Sequence, residues 1–289
     1  THMNTSYPST LARDTAIESA LNTLVSTKRV GITTADDLYN FSVSASFNYR
    51  YTASVNRLPY EKTIKKILSY NYILLADIDY STMKAKKFVP IGTDITIEDS
   101  GTTVYHYPFT GTFDGQGFVI KNLYLADYNT ITTIHRFDDD PLTDIDIPLS
   151  PYYAMFNELD TSAVVKNFIL ENPVYELLNV PEGLINTAYL VGKNKGIIYN
   201  IAVIDKKTNQ SGSDISGIRF NFLDLPSSEV EFTAAGFAHT NLASGKIYNS
   251  FFISKNVMSV GSKFRFIVKP FYYNNTGTID GAGYDDIVV

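Results

Sequence analysis

Cysteine and tryptophan are absent from the 289 residues, and charged residues make up only 19% of them. Without cysteine there can be no disulfide, no thiolate zinc site and no cysteine nucleophile. The compartment is left open by that absence. Without tryptophan the largest aromatic platform for a sugar ring is missing. Basic side chains number 24 against 30 acidic ones, a formal charge of -6, which argues against a nucleic-acid partner. No apolar run approaches the ~20 residues that span a bilayer, so no transmembrane segment is expected. Catalytic signatures are missing too: there is no G-x-S-x-G, no H-E-x-x-H and no Walker A sequence. The four histidines, His2, His106, His135 and His239, are too scattered to suggest a ligand cluster, and a turn or surface role is expected for the last three.

What remains is ample for a folded chain. Hydrophobic residues make up 44%, enough for a sizeable core, and 21 Tyr with 18 Phe suit strands and their faces. Length allows one extended domain or two compact ones. Thr1-His2-Met3 reads as a cloning remnant, a start compatible with a native signal peptide having been removed. Residues 1–70 read as a helical N-terminal cap and the entry to the first coil, and 71–289 as the repeat region of the same continuous domain, cut from a longer protein. Ile17, Ala20, Leu21, Leu24 and Val25 form an amphipathic stripe, with Thr15 and Glu18 as a capping box and Asp14 as a competing cap. Thr34 and Asp37 mark a second start, with Leu38 and Phe41 as its buried face. A third helix follows Pro59, with Ile64, Ile67 and Leu68 inward and Lys62, Lys65 and Lys66 on a solvated face.

Beyond residue 70 short strands alternate with Gly, Asn and Asp, and a repeat emerges. Four tracts align on an asparagine: Phe118 to Leu125 on Asn122, Ala163 to Leu170 on Asn167, Gly196 to Val203 on Asn200, and Gly245 to Phe252 on Asn249. A fifth keeps the beginning but has Gly281 in the asparagine's place. Two before the Asn stands Ile120, Val165, Ile198 or Ile247; three after it stands Leu125, Leu170, Val203 or Phe252. Side chains alternate with period two along a strand, so a switch from even to odd apolar offsets demands a bend at the Asn. Asparagine tolerates left-handed backbone there, and stacked copies can ladder their amides. The uneven repeat spacing places inserts at about 128–151 and 206–231, with a third from Asp94 to Tyr107. The helical segment then caps the first coil and protects its open edge.

Tyr189-Leu190-Val191-Gly192-Lys193-Asn194-Lys195-Gly196-Ile197-Ile198-Tyr199-Asn200 resembles the GLUG repeat, which reads G-L-V-G-x-N-x-G-x-I-x-N. Tyr72 to Asp79 with Phe88 to Gly92, and Phe109 to Leu125, are similar to the lead-in segments of GLUG-repeat bacterial surface and secreted proteins; Ile32 to Leu38 is similar to their opening. The resemblance implies an all-β fold, a right-handed parallel β-helix with a short helical N-terminal cap. It spans most of residues 30 to 255. It also implies a bacterial cell-surface or secreted location, often within a larger protein, and carries over no catalytic residue. The chain departs from the pattern at Tyr189, at Ala154-Met155-Phe156-Asn157 and at Ala235-Gly236-Phe237-Ala238.

Candidate site residues are of two kinds. Tyr105, Tyr107, Tyr152, Tyr153, Tyr272 and Tyr273 lie at strand or insert edges, where exposed rings could stack on sugars or fill a protein interface. Asp138, Asp139 and Asp140, followed by Asp144 and Asp146, could offer calcium several oxygens, although the spacing is not that of an EF-hand. A solvated acidic loop is the simpler reading; no other cofactor is expected. Asp77, Asp79 and Asp114 read as turn residues, and Gly115-Gln116-Gly117 as a tight turn. The leading expectation is a non-enzymatic adhesion module that binds a glycan or protein on another cell through its inserts. A polysaccharide lyase or glycoside hydrolase, using acids on adjacent coils, is the alternative, and a passive stalk the third.

Overall fold

The computed structural model describes residues 29–45, 57–83, 86–98, 102–125, 133–135, 144–146, 152–178, 185–205, 217–221, 230–254, 264–269 and 271–285. The amphipathic stripe from Ile17 to Val25 lies outside them. The described residues are mostly strand, with two α-helices, and neither helix is long and apolar enough to cross a membrane.

Helix α1 (Ala35–Ser44) begins where the capping box demands. The Thr34 hydroxyl accepts from the Asp37 N–H at 3.1 Å, and the Asp37 carboxylate accepts from the Thr34 N–H at 2.9 Å. Burial alone would raise the Asp37 pKa, but the donors of Thr33 and Thr34 outweigh it and hold the carboxyl below its ordinary value. Helix α2 (Arg57–Ser69) takes Pro59 within its first turn, where the missing N–H has no helical partner to lose. Leu38, Phe41, Ile64, Ile67 and Leu68 are all buried, as their spacing predicts. Phe41 reaches into the sheets: its ring centre lies 3.9 Å from that of Tyr72 and 6.0 Å from that of Phe113.

The strands form parallel ladders between segments far apart in sequence. An eleven-stranded sheet runs through Val30–Ile32, Asn71–Leu74, Thr112–Asp114, Val164–Glu171, Ile197–Asp205, Lys246–Tyr248 and Thr278–Asp280, with four short strands beside this path. A four-stranded sheet joins Tyr152–Tyr153, Ile185–Ala188, Val230–Ala235 and Phe264–Lys269. Another joins Phe156–Leu159, Val191–Asn194, Ala238–Asn241 and Tyr272–Asn275. A three-stranded sheet joins Tyr124–Leu125, Val174–Leu178 and Gly217–Asn221. Identical chemistry stacks on itself: Val165 pairs with Ile198, Ile198 with Ile247, and Ile247 with Ile279. The segments that depart from the repeat consensus stack as well, since Phe156 pairs with Val191 and Val191 with Ala238.

The bend at the asparagines is present. Asn167, Asn200 and Asn249 have φ of 59°, 57° and 44°, and Gly281 takes the fifth corner at 59°. Val165, Phe168 and Leu170 are all buried, the even-to-odd switch read from the sequence. One alignment needs correction. Asn122 is left-handed (φ 55°), but Ile120 pairs with Leu170 and Lys121 with Glu171, so Asn122 is level with left-handed Asn172 and not with Asn167. The cause is the turn Gly115-Gln116-Gly117, which adds two residues between Asp114 and Val119 relative to Lys166 and Ile169.

Two of the three inserts contain antiparallel hairpins, Thr93–Glu98 with Thr102–Tyr107 and Thr133–His135 with Asp144–Asp146. The expected insert at 206–231 is not wholly an insert. Gly217–Asn221 pairs in parallel with Val174–Leu178, and Val230–Ala235 joins a four-stranded sheet, because their backbone groups continue ladders already begun.

Candidate functional site

The first hairpin lies between two bridges to one strand. Ile91 bridges to Phe156 and Phe109 to Leu159, so the chain leaves the sheet after Ile91 and rejoins the same strand three residues further on at Phe109. Gly92 makes the exit. Its φ is 83°, and a Cβ there would stand 2.9 Å from the Glu158 carbonyl oxygen. Glu158 sits beneath the hairpin's base, 1% exposed.

That burial makes Glu158 the centre of a charged cluster. His106 Nε2, from the hairpin, lies 3.0 Å from its Oε2. From the neighbouring pass of the chain, Lys195 Nζ lies 2.7 Å from Oε1 and Lys193 Nζ 3.4 Å, ion pairs without the alignment of a hydrogen bond. The two lysines flank Asn194, which is fully buried, so strand alternation sends both ammoniums outward. Their side chains are partly exposed, and His106 is 41% exposed. A buried carboxylate requires such partners, since an uncompensated charge costs several kcal/mol.

Comparison with protein-family models, with curated proteins and with solved structures finds no match for this chain. Function has to be argued from the side chains.

A second polar group surrounds His239. The ring is 2% exposed and belongs to a strand, which corrects the expectation of a turn or surface role. Thr233 Oγ1 donates to Asn186 Oδ1 at 2.6 Å, so Thr233 can only accept from His239 Nε2 at 2.7 Å. His239 Nδ1 is then left to accept from the Thr240 hydroxyl at 3.0 Å. The ring is neutral in this network. Burial, reinforced by the charge of Lys269, pushes its pKa down to about 4.

The six tyrosines scatter. Tyr152 and Tyr273 come together at His239, with ring centres 5.6 and 4.8 Å from the imidazole. Lys269 Nζ lies 4.7 Å from the centre of the Tyr273 ring. Tyr153 and Tyr107 are buried, which corrects their reading as exposed platforms. Tyr153 packs edge-on against Tyr175 in the core, and Tyr107 is covered from α2, with Lys65 Nζ 5.7 Å from its ring centre. Tyr272 is 38% exposed. Tyr105 lies on the first hairpin opposite Ile95.

The acidic candidates separate in the same way. Asp138, Asp139 and Asp140 lie outside the described residues; Asp144 and Asp146 belong to the second hairpin. Among the described residues no group of three or more His, Asp or Glu could hold a metal ion. Asp77 accepts from the Val119 N–H at 2.9 Å. Asp79 caps the Tyr80–Thr82 turn through the Ser81 N–H and accepts from Asn122 Nδ2. Asp114 accepts from the Gln116 N–H and from Asn167 Nδ2, with Lys166 Nζ at 3.2 Å. Partial burial would raise the pKa of Asp114, and these donors reverse that.

Asparagine amides do ladder. Asn200 Nδ2 donates to Asn167 Oδ1 at 2.9 Å, and Asn167 passes the bond to Asp114. A second ladder runs from Asn194 to Asn241 to Asn275 at 2.8 and 2.7 Å. The recurring Asn-x-Gly of Asn194-Lys195-Gly196 and Asn275-Thr276-Gly277 was its only signal in the sequence. Glu158 gave none.

Proposed function

We propose that the chain is a right-handed parallel β-helix acting as a non-enzymatic recognition module of a bacterial surface or secreted protein. Four in-register parallel sheets, left-handed asparagine corners and the GLUG-like tract at Tyr189 to Asn200 support the architecture. Right-handedness follows the general preference of parallel crossovers. The observation that carries the binding reading is the excursion between Ile91 and Phe109, where an antiparallel hairpin is inserted between two residues that bridge to one and the same strand. A rigid scaffold that displays variable loops is the usual arrangement of a binding protein. The partner would be a glycan or protein on another cell, and the chain part of a larger surface protein.

The carboxylates favour binding over hydrolysis. Asp77, Asp79 and Asp114 are each engaged by backbone N–H or asparagine amide donors, which leaves them poorly placed to exchange protons with a substrate. The test replaces Thr93–Tyr107 by a short Gly-Ser turn and measures glycan-array and cell binding. The shortened chain should keep its strand circular dichroism and lose binding. Undiminished binding would move the contact surface elsewhere, and shortening of a polysaccharide by the purified parent chain would overturn the non-enzymatic reading.

A further inference from the structure

We propose that this chain pairs with a second copy of itself through the free edges of three strands, Tyr272–Asn275, Thr278–Asp280 and Gly283–Asp285. The contact is separate from the hairpin and from the recognition reading above.

The three strands follow one another in the chain. Among the described residues each pairs on one side only, with Ala238–Asn241, Lys246–Tyr248 and Phe251–Ser254 in turn. Their core-facing positions are left uncovered. Along one row Phe156, Val191 and Ala238 are completely buried, and Tyr272, next in register, is 38% exposed. Along another, Leu170 and Val203 are completely buried and Phe252 nearly so, whereas Tyr284 is 59% exposed. Ile279 is only half-buried, although Val165, Ile198 and Ile247 before it are completely buried. Rings at positions that the register reserves for the core thus stand in water, and burial of such surface drives association. The amide ladder stops at the same edge. Asn275 Oδ1 accepts from Asn241 Nδ2, and its own Nδ2 has no acceptor among the described residues. The three strands also contain neither lysine nor proline, two common guards of a free edge against pairing.

A second copy is the occupant that these features fit. Extending the ladders takes a partner with unpaired backbone groups, apolar side chains at core positions and an asparagine amide, all on one edge. The same edge of another copy offers all three, and a contact of like with like is self-complementary. The opposite edge of the eleven-stranded sheet does not match it, since Ile32 there is 1% exposed. A head-to-tail contact would also leave an uncovered edge on every copy added, whereas the two-fold contact closes.

The test is sedimentation equilibrium of the full chain. Wild type should approach twice the mass of one chain as concentration rises, and high salt should not dissociate it, because the contacts are apolar and backbone. The double variant Tyr272→Lys with Tyr284→Lys should associate at least roughly tenfold more weakly, with its strand circular dichroism unchanged. Phe251→Lys should associate as wild type does, since Phe251 is 49% exposed but faces outward, opposite to buried Phe252. Cross-linking gives a readout that does not depend on the double variant. The chain has no cysteine, so Tyr284→Cys treated with a short bifunctional maleimide should yield a covalent pair. Leu75→Cys should not, although Leu75 is 52% exposed beside the opposite edge strand. Wild type that remains a monomer at roughly 100 µM, where even a weak pair forms, overturns the proposal. So does undiminished association of the double variant, an open-ended series of masses, or a covalent pair formed through Leu75→Cys instead of Tyr284→Cys.

Discussion

Asn167 carries two duties that can be separated. Its backbone is left-handed at φ 59°, and its amide joins Asn200 to Asp114. A left-handed non-glycine residue costs roughly 1–2 kcal/mol, and each hydrogen bond contributes about 1 kcal/mol. Asn167→Ala should lose both, while Asn167→Gly keeps the backbone relaxed and loses only the ladder. Urea unfolding should therefore find the alanine variant about 1 kcal/mol less stable than the glycine variant. Equal losses would show the ladder to dominate. His239 gives a pH signature. Its folded pKa of about 4 lies below the 6.5 of a free imidazole, so the unfolded chain binds more protons between those values. Stability is therefore complete above about pH 6.5 and declines as pH falls toward 4, by an amount on the order of 3 kcal/mol. Denaturant unfolding across that range should slope in wild type and be flatter in His239→Gln. The depressed Asp37, Asp79 and Asp114 act in the same sense at lower pH.

At the scale of elements, α1 is joined to the sheets by a single large side chain. Phe41 is buried against Tyr72, Phe109 and Phe113. Phe41→Ala should cost about 3–5 kcal/mol, measured as a fall in melting temperature, because removing the ring leaves a cavity over those three aromatics. The two helices were legible in the sequence because a capping box and a three-to-four spacing are local signals. The corners at Asn167, Asn200 and Asn249 were legible for the same reason. Asn122 was placed wrongly because its partner is chosen by the sheet register, and two extra residues at Gly115-Gln116-Gly117 shift that register without altering the local pattern. The segment at 206–231 was read as an insert from the uneven repeat spacing; Ile218 and Phe220 do alternate with Arg219 and Asn221, but five residues do not show which ladder they join, and the edge of Val174–Leu178 decides it.

Across the whole molecule, stability should depend on a strand's position in its parallel sheet. Within each parallel ladder a strand pairs with its neighbours, so interior strands support two interfaces and edge strands support one. Ile198 pairs on both sides and is fully buried, whereas Ile279 pairs only with Ile247 among the described residues and is half-buried. Ile198→Ala should cost about 2–5 kcal/mol, and Ile279→Ala less than about 1.5 kcal/mol, in matched urea titrations. Comparable losses would mean that the last pass is as tightly packed as the middle.

The sequence by itself determined the strand chemistry, the left-handed corners, the helix caps and the absence of thiol chemistry, since each follows from a residue and its near neighbours. Only the tertiary structure decided what touches what across passes. It buried Tyr107 and Tyr153, took His239 out of solvent, and drew Glu158 under a hairpin between His106, Lys193 and Lys195. Glu158 and His106 are 52 residues apart, and no local pattern connects them. Their meeting is fixed by the parallel register that seats Ile91 and Phe109 beside Phe156 and Leu159, and register is a property of paired strands.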